Sequence, residues 1–203
     1  MRRIAMFMFA TFAVGAMALT TLSWALTPKP AGPARAPDPA TYPDAVIQIY
    51  GADVWGVRGR FAIHTWVVTK PAGADRYRKY QVIGWRARRG QSVVAISSGN
   101  PDGDWFGAKP TLLHELKGPE AEPLIEAVHA AALSYPFADE YVMWPGPNSN
   151  SFTAWIALEV PELGLSLPTK AIGKSWMLDE YPRLKAAASA LRQESGPAGS
   201  GPG

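Results

Sequence analysis

The sequence predicts an α+β fold in which a small antiparallel sheet is packed with helices and is preceded by an N-terminal hydrophobic helix. Three observations support this prediction. Short runs of β-branched and aromatic residues fill the first part of the central region, and longer apolar segments with helical spacing come after them. Strands grouped before helices are typical of an α+β fold, because a parallel sheet needs a crossover between successive strands. The chain has 203 residues, of which 47 % are hydrophobic, which suits one domain with tails.

The clearest strand is F-A-I-H-T-W-V-V-T at residues 61–69, bounded by Gly59 and Pro71. Residues 71–79 then link it to the next strand as a hairpin loop. Further strands are predicted over residues 45–50, 80–87, 91–97, 111–116 and 140–144. Helices are predicted over residues 120–134, from Asn148 to Val160, and over residues 180–193.

The amino-terminal segment, residues 1–26, predicts either a signal peptide or a membrane anchor. Arg2 and Arg3 precede an uncharged apolar run at residues 4–22, and Ser23-Trp24-Ala25 fits a signal-peptidase site. The run is longer than the roughly 7–15 residues of a signal-peptide core and close to the ~20 that span a bilayer, so both alternatives stay open. Positive charge before the run predicts export of the chain beyond it. We therefore expect a cell-envelope protein, periplasmic or anchored to the inner membrane and facing the periplasm.

Two low-complexity segments frame the predicted α+β domain at residues 44–193. Residues 27–43 carry six prolines among small residues, which indicates an extended linker. Residues 194–203 are dominated by Gly, Pro and Ser and predict a disordered tail. The partners expected from this organisation are the membrane, through the N-terminal segment, and an unknown envelope ligand.

Composition excludes several kinds of site. The chain has no cysteine, so thiolate nucleophiles, disulfides and cysteine-based zinc sites are excluded. Its three histidines show no i, i+4 spacing, and we expect neither a metal site nor a cofactor. The formal net charge is +3, and the tightest basic cluster, Arg86, Arg88 and Arg89, lacks the interleaved aromatics of a nucleic-acid surface. We therefore expect no nucleic-acid binding.

The most informative stretch is W-P-G-P-N-S-N-S-F at residues 144–152, which runs directly into a predicted helix. One interpretation is a helix cap, supplied by Asn148 or Ser149 after a proline turn. The other is a catalytic site, because a serine at a helix N-terminus gains from the helix dipole and from free backbone N–H groups. Its nucleophile is Ser149 or Ser151, with His64 as base and Gln81, on the next strand, orienting that histidine.

His64 itself allows two interpretations, a hydrogen-bonded core histidine or a general base. Strand alternation puts it on one face with Trp66 and Val68, and we expect that face to meet the helix beginning near Ser149. Ile63 and Thr65 then face away. The candidate binding residues come from the same strand and turn: Asn148, Asn150, Ser151, Trp66 and Trp144.

Four blocks resemble an uncharacterised bacterial family, domain-of-unknown-function family 3750. They are W-P-G-P-N-S-N-S-F-T-A-W-I, I-H-T-W-V-V-T-K-P-A, Y-Q-V-I-G-W and P-E-L-G-L-S-L-P-T-K-A-I-G-K, and the resemblance runs from about residue 45 to 174. The family has no established activity, and its members commonly carry an N-terminal hydrophobic segment. Members often extend further at the carboxyl end than this chain, which stops in a Gly/Pro/Ser tail.

A more distant similarity is to the circularly permuted NlpC-type papain-like fold, which includes lecithin–retinol acyltransferase. In that branch a motif N-C-x-H-F opens the helix; Asn148 and Phe152 match its ends, and Ser149 stands at the cysteine position. Serine is a poorer nucleophile than a thiolate beside histidine. The resemblance therefore implies a non-catalytic or degenerate binding module, with a serine-based hydrolase or acyltransferase acting on envelope amide or ester bonds as the alternative.

Overall fold

The computed structural model describes residues 36–194, which form a five-stranded sheet with helices. All strand pairs are antiparallel, and the strand order across the sheet is β4-β3-β2-β1-β5. The strands are β1 (Val46–Asp53), β2 (Ile63–Lys70), β3 (Arg78–Val82), β4 (Val94–Ser98) and β5 (Thr111–Lys117). The predicted α+β class with an antiparallel sheet is confirmed.

Three α-helices come after the sheet in the chain: α1 (Glu122–Leu133), α2 (Ser149–Glu159) and α3 (Lys174–Glu194). Short 3₁₀ turns connect the elements at Gly56–Arg60, Gly84–Arg89, Gly118–Glu120 and Pro161–Leu163. Helix α2 lies against β2 and between α1 and α3, so its amino end is fixed by contacts on several sides.

Three predicted boundaries were wrong. The strand predicted over residues 80–87 ends at Val82, and the chain then turns so tightly past Tyr141 that a Cβ at Gly84 would lie 2.6 Å from that ring. Residues 140–144 form no strand; the Val142 N–H instead bonds to the Pro147 carbonyl across the proline turn. Helix α3 begins at Lys174 rather than near residue 180, because Met177 is fully buried and draws the first turn into the core.

The sheet has two buried faces. Ile47, Ile49, Ile63 and Val67 pack with the helices in the larger core, which includes Phe152. The opposite face carries a smaller cluster, formed by Val46, Tyr50, Ala52, Trp66, Val68 and Tyr77. Residues from the end of the predicted linker, Ala36 and Tyr42, pack onto this second cluster.

The predicted orientation of β2 was wrong. Thr65 and Val67 face α2 and the larger core, whereas Trp66 and Val68 lie in the cluster on the opposite face, where His64 contacts Trp66. The alternation itself is present, but every residue of β2 is buried. A strand that is buried on both faces has no polar side to show which set of residues meets the helices.

The predicted signal peptide or anchor at residues 1–26, most of the linker and nearly all of the tail lie outside the described residues. Within residues 36–194 no helix combines the length and the apolarity that crossing a bilayer requires.

Candidate functional site

Asn148 caps helix α2. Its side-chain oxygen accepts hydrogen bonds from the backbone N–H groups of Asn150 (2.9 Å) and Ser151 (3.1 Å). The Ser151 hydroxyl accepts in return from the Asn148 N–H at 3.2 Å, which completes a capping box. The capping interpretation of Asn148 is therefore confirmed.

The two asparagine amides also join α2 to its surroundings. The Asn148 Nδ2 donates to the carbonyls of Met143 (3.0 Å) and Ile172 (3.2 Å). The Asn150 Nδ2 donates to the carbonyls of Ile172 (2.8 Å) and Ile63 (3.0 Å). Both side chains are at least 97 % buried. Their hydrogen bonds therefore satisfy buried polar groups that have no access to water.

Thr65 holds the same helix end from the strand. Its hydroxyl donates to the Asn150 Oδ1 at 3.0 Å and lies 2.9 Å from the Thr153 hydroxyl. Ile63 and Thr65 flank His64, so β2 is tied to the first turn of α2 on both sides of the histidine. The prediction that this strand lies against the start of the helix, about 85 residues later in the chain, is confirmed.

Gly173 leaves room for the cap. Its φ of +92° is in the left-handed region, and a Cβ there would lie 2.2 Å from the Asn148 Nδ2. Only glycine satisfies both the backbone conformation and the close approach of the amide. The Gly173 carbonyl also accepts a hydrogen bond from the Ser151 hydroxyl at 2.9 Å.

A cavity of about 310 Å³ opens beside this junction, at the end of the sheet where β2 begins. His64, Asn148, Ser149 and Asn150 all line it, so the structure brings the candidate base and the candidate nucleophile to one space. The remaining wall is mostly apolar and aromatic, with one arginine: Val54, Trp55, Arg58, Phe61, Ala62, Ile63, Trp105, Tyr141, Met143 and Ile172.

Ser149 is the first residue of α2 and is 5 % exposed. Its carbonyl accepts from the Thr153 hydroxyl, but its own hydroxyl makes no hydrogen bond within residues 36–194. The Ser151 hydroxyl, by contrast, is fully buried and bonded in the cap. Of the two candidate serines, Ser149 is the one whose hydroxyl is left to the cavity.

The structure brings His64 and Gln81 together, the two residues that the sequence analysis placed on neighbouring strands. The His64 Nε2 lies 3.2 Å from the Gln81 Oε1, and because an amide oxygen only accepts, this hydrogen bond requires the tautomer with the proton on Nε2. The Nδ1 is then an acceptor, and it has no hydrogen-bond partner in the described part of the chain. The ring also stacks on Trp105, with 3.7 Å between centroids.

The electrostatic environment keeps His64 neutral. Burial lowers the pKa of the imidazole to about 3; the hydrogen bond to Gln81 opposes this shift and the positive charge of Lys79 adds to it. A histidine with such a pKa is uncharged at neutral pH and is a weak proton acceptor. No hydrogen bond joins His64 to Ser149 in the residues that the structure describes.

Three of the candidate binding residues do not line the cavity: Ser151, whose hydroxyl is bonded in the cap, Trp66 and Trp144. Trp66 is fully buried in the second cluster, where its N–H donates to the Pro101 carbonyl at 2.8 Å. Trp144 is 68 % exposed and does not line the cavity. Among residues 36–194 no three histidine or acidic side chains are grouped as a metal site.

None of the ten further wall residues was among the sequence-predicted site residues, and Arg58, Trp105 and Tyr141 are three of them. Trp105 lies in the loop between β4 and β5, and Tyr141 lies in a segment predicted as a strand. A second cavity of about 370 Å³ shares His64, Trp105 and Tyr141 with the first and continues past Trp85 and Arg88. The sequence feature that could have identified these wall residues is the concentration of aromatic residues in loops beside arginines.

Fold and site together define an α+β domain whose polar helix start and strand histidine meet at an aromatic-walled cavity. A family profile described as Protein of unknown function (DUF3750) matches residues 44–176. This match covers more than half of the chain, and the protein belongs to that family. Comparison with curated proteins and with solved structures gave no match.

Proposed function

We propose that this chain is an envelope-exported ligand-binding module, a non-catalytic or degenerate papain-like domain whose cavity holds a polar ligand group between Ser149 and His64. The proposal rests on two polar atoms that have no hydrogen-bond partner within residues 36–194. Ser149 and His64 line one cavity, and the Ser149 hydroxyl and the His64 Nδ1 have no hydrogen-bond partner in the described part of the chain, while the neighbouring polar side chains are bonded. A ligand N–H or O–H suits the Nδ1, and an acceptor suits the hydroxyl.

The order of parts supports the papain-like component of the proposal. A histidine near the start of a strand, an orienting amide on the neighbouring strand and a small polar residue at the start of a later helix match the permuted arrangement. In this chain the histidine is uncharged and weakly basic, and the helix begins with serine instead of cysteine. Both differences favour binding over bond cleavage.

The wall of the cavity indicates the shape of the ligand. Apart from the polar groups at the helix start, it presents aromatic and aliphatic side chains that exclude water, with Arg58 as the cationic group. An apolar group attached to an amide or ester fits this distribution, because the apolar part meets the wall while the polar part reaches Ser149 and His64.

The test is a binding titration of purified full-length protein with N-octanoylglycinamide, monitored by tryptophan fluorescence because Trp55 and Trp105 line the cavity. We expect saturable binding without turnover. Ser149→Ala should weaken binding by roughly two- to tenfold, which corresponds to one hydrogen bond. His64→Phe keeps a ring on Trp105 but removes the Nδ1 acceptor, and should weaken binding similarly.

The matched control is Ser98→Ala, which removes an exposed serine hydroxyl from β4, outside the cavity. It should leave the affinity unchanged. Equal affinity of the wild type, Ser149→Ala and His64→Phe for the probe would exclude the cavity as its binding site.

The alternative function is a serine-based hydrolase or acyltransferase, and one observation favours it: Ser149 lies at the dipole end of α2, in one cavity with a histidine oriented by Gln81. A fluorophosphonate probe distinguishes the two functions. Stoichiometric labelling of Ser149 that is lost in Ser149→Ala and reduced in His64→Phe would establish the hydrolase. The binding function predicts no labelling above that of the Ser149→Ala variant.

A further inference from the structure

Exposed apolar side chains are concentrated around the cavity mouth. Of the large hydrophobic residues that are exposed within residues 36–194, Ile96, Leu133, Leu178 and Leu191 are scattered over the sheet and two helices. The other nine lie in four short segments beside the two cavities, and we call them the aromatic rim: Trp55, Val57, Phe61, Trp85, Phe106, Tyr141, Val142, Met143 and Trp144. Scattered exposed residues need no explanation, but a contiguous patch indicates an interaction surface.

Contacts link the four segments in two pairs, and Gly84 of the second segment lies against the Tyr141 ring of the fourth, which joins the pairs. Trp85 stacks with Trp105, with 6.0 Å between ring centroids, and Phe106 packs edge-on against Trp105 at 5.0 Å. The first segment reaches the last through the Arg58 guanidinium, whose Nη1 lies 3.4 Å from the Met143 sulfur.

Phe106 is held outward by an unusual turn. Trp105 and Ala108 exchange two backbone hydrogen bonds of 2.9 Å, which leaves Phe106 and Gly107 as the central residues of a tight turn. Both have positive φ, 48° and 83°, a combination that usually takes Asn-Gly. A bulky residue in the left-handed region is unfavourable, and here it is an aromatic side chain 64 % exposed at the tip.

Positive charge accompanies the rim. Arg58 and Arg60 lie in the first segment, residues 54–61, and Arg86, Arg88 and Arg89 lie in the second, residues 84–90. Neither segment contains an acidic residue, and none of the five arginines forms an ion pair within the described residues. The acidic residues closest in sequence to the other two segments are Asp104, which pairs with Lys109, and Asp139 and Glu140.

We propose that the aromatic rim docks onto an anionic phospholipid surface, with its aromatic side chains at headgroup depth and the flanking arginines on lipid phosphates. Tryptophan and tyrosine fit the membrane–water interface because their rings are apolar and their polar atoms stay hydrated, and phenylalanine adds apolar surface beside them. Guanidinium groups bind phosphate through several hydrogen bonds at once. The unpaired positive charge selects an anionic partner, and the cavity mouth then faces the bilayer.

This docking does not depend on the chemistry inside the cavity. Val57, Phe106 and Trp144 belong to the rim but line neither of the two cavities. A substitution at these positions therefore tests the surface without changing the residues that the proposed ligand meets.

The test uses full-length protein reconstituted into vesicles, with a nitroxide label on a single introduced cysteine. The chain has no cysteine of its own, so each label reports one position. Phe106→Cys probes the rim, and Ala72→Cys is the control, because it is exposed just beyond the end of β2 farthest from His64. The accessibility of each label to oxygen, which partitions into lipid, is compared with its accessibility to a water-soluble nickel complex.

In vesicles of phosphatidylglycerol and phosphatidylethanolamine we expect the label at 106 to be accessible to oxygen and shielded from nickel, and the label at 72 to stay accessible to nickel. In phosphatidylcholine vesicles the shielding at 106 should largely disappear. The full-length protein carries the same apolar run at residues 4–22 in both lipids, so the difference between the lipids isolates the contact made by the domain.

The charge is tested by Arg60→Gln with Arg89→Gln, which should lower the ratio of docked to undocked protein by roughly twenty-five-fold, since each arginine near an anionic surface contributes about fivefold. Arg76→Gln with Arg78→Gln removes the same charge at the far end of the sheet and should have no such effect. Equal nickel accessibility at 106 and 72 in anionic vesicles overturns the proposal. So does shielding at 106 with spin–spin broadening between copies, which would place a second protein chain on the rim.

Discussion

Asn150 and Ile63 are joined by a hydrogen bond of 3.0 Å from the side-chain amide to the backbone carbonyl, across 87 positions of the chain. This bond sets the start of α2 beside the strand residue that precedes His64. The Thr65 hydroxyl, which donates to the Asn150 Oδ1 at 3.0 Å, fixes the other side. Asn150 therefore helps to set the position of Ser149 relative to His64, together with Asn148 and Thr65.

Asn150→Ala should lower the free energy of unfolding by about 2–4 kcal/mol, because the carbonyls of Ile63 and Ile172 and the Thr65 hydroxyl lose buried partners. The matched control is Ser149→Ala, whose hydroxyl has no partner within residues 36–194 and whose loss should cost less than about 0.5 kcal/mol. Chemical denaturation of the two variants measures both values. Equal stability of the two would mean that Asn150 does not hold the junction.

Asn148→Ala should destabilise the protein by about 0.5–2 kcal/mol through the lost cap, and further through the carbonyls of Met143 and Ile172 that lose a donor. Thermal unfolding monitored by circular dichroism measures the change. An unchanged melting temperature with loss of probe binding would contradict a structural role and place Asn148 among the ligand contacts.

These two positions show what the sequence could predict. The proline turn before small polar residues predicted the cap, because local hydrogen bonding at a helix start depends on residues that are adjacent in the chain. Thr65 and Ile172 also bond to this helix end, but nothing in the sequence pairs them with it. These contacts form because β2 packs on α2. The sequence does not show which face of β2 meets the helix, because both faces of the strand are buried.

The side of the sheet on which His64 lies was also not predictable from the sequence. The sequence predicted that His64 and Trp66 share a side of β2, and they contact each other. Their side is opposite to the one that was expected, yet His64 still reaches the cavity because it lies near the first residue of the strand, at the end of the sheet. Trp105 and Tyr141, which complete the wall, come from loops with no strand or helix pattern.

Stability should fall below about pH 6.5. The pKa of His64 is lowered from 6.5 to about 3 in the folded protein, so between these values the unfolded chain binds a proton that the folded chain does not. Folding stability attributable to His64 is therefore complete above pH 6.5 and is lost as the pH falls toward 3, by about 1.4 kcal/mol per pH unit. Burial also lowers the pKa of His114, which adds to the loss in the same direction.

The measurement is the free energy of unfolding between pH 7.5 and pH 4.5 for the wild type and His64→Phe. The variant should lose the His64 contribution and show a shallower slope, whatever its stability at neutral pH. Parallel slopes for the two proteins would show that His64 titrates alike in the folded and unfolded chain.

The prediction that the domain is exported can be tested independently of the binding site. Arg2, Arg3 and the apolar run at residues 4–22 predict translocation of the domain. A phosphatase reporter that is active only outside the cytoplasm, fused after Gln193, should be active, and a fusion with residues 1–26 deleted should not. An inactive full-length fusion with normal expression would contradict the envelope location.

The most direct test of the binding site is the protonation state of His64 in solution. The chain has three histidines, so nitrogen-15 spectra of the imidazole rings can be resolved and His64 identified from its loss in His64→Phe. At pH 7 we predict a neutral ring with the proton on Nε2 and a free Nδ1, and an upfield shift of the Nδ1 resonance when N-octanoylglycinamide binds. A charged ring at pH 7, a proton on Nδ1, or an Nδ1 resonance unchanged at saturating probe would contradict the proposal that His64 offers a neutral acceptor to the ligand.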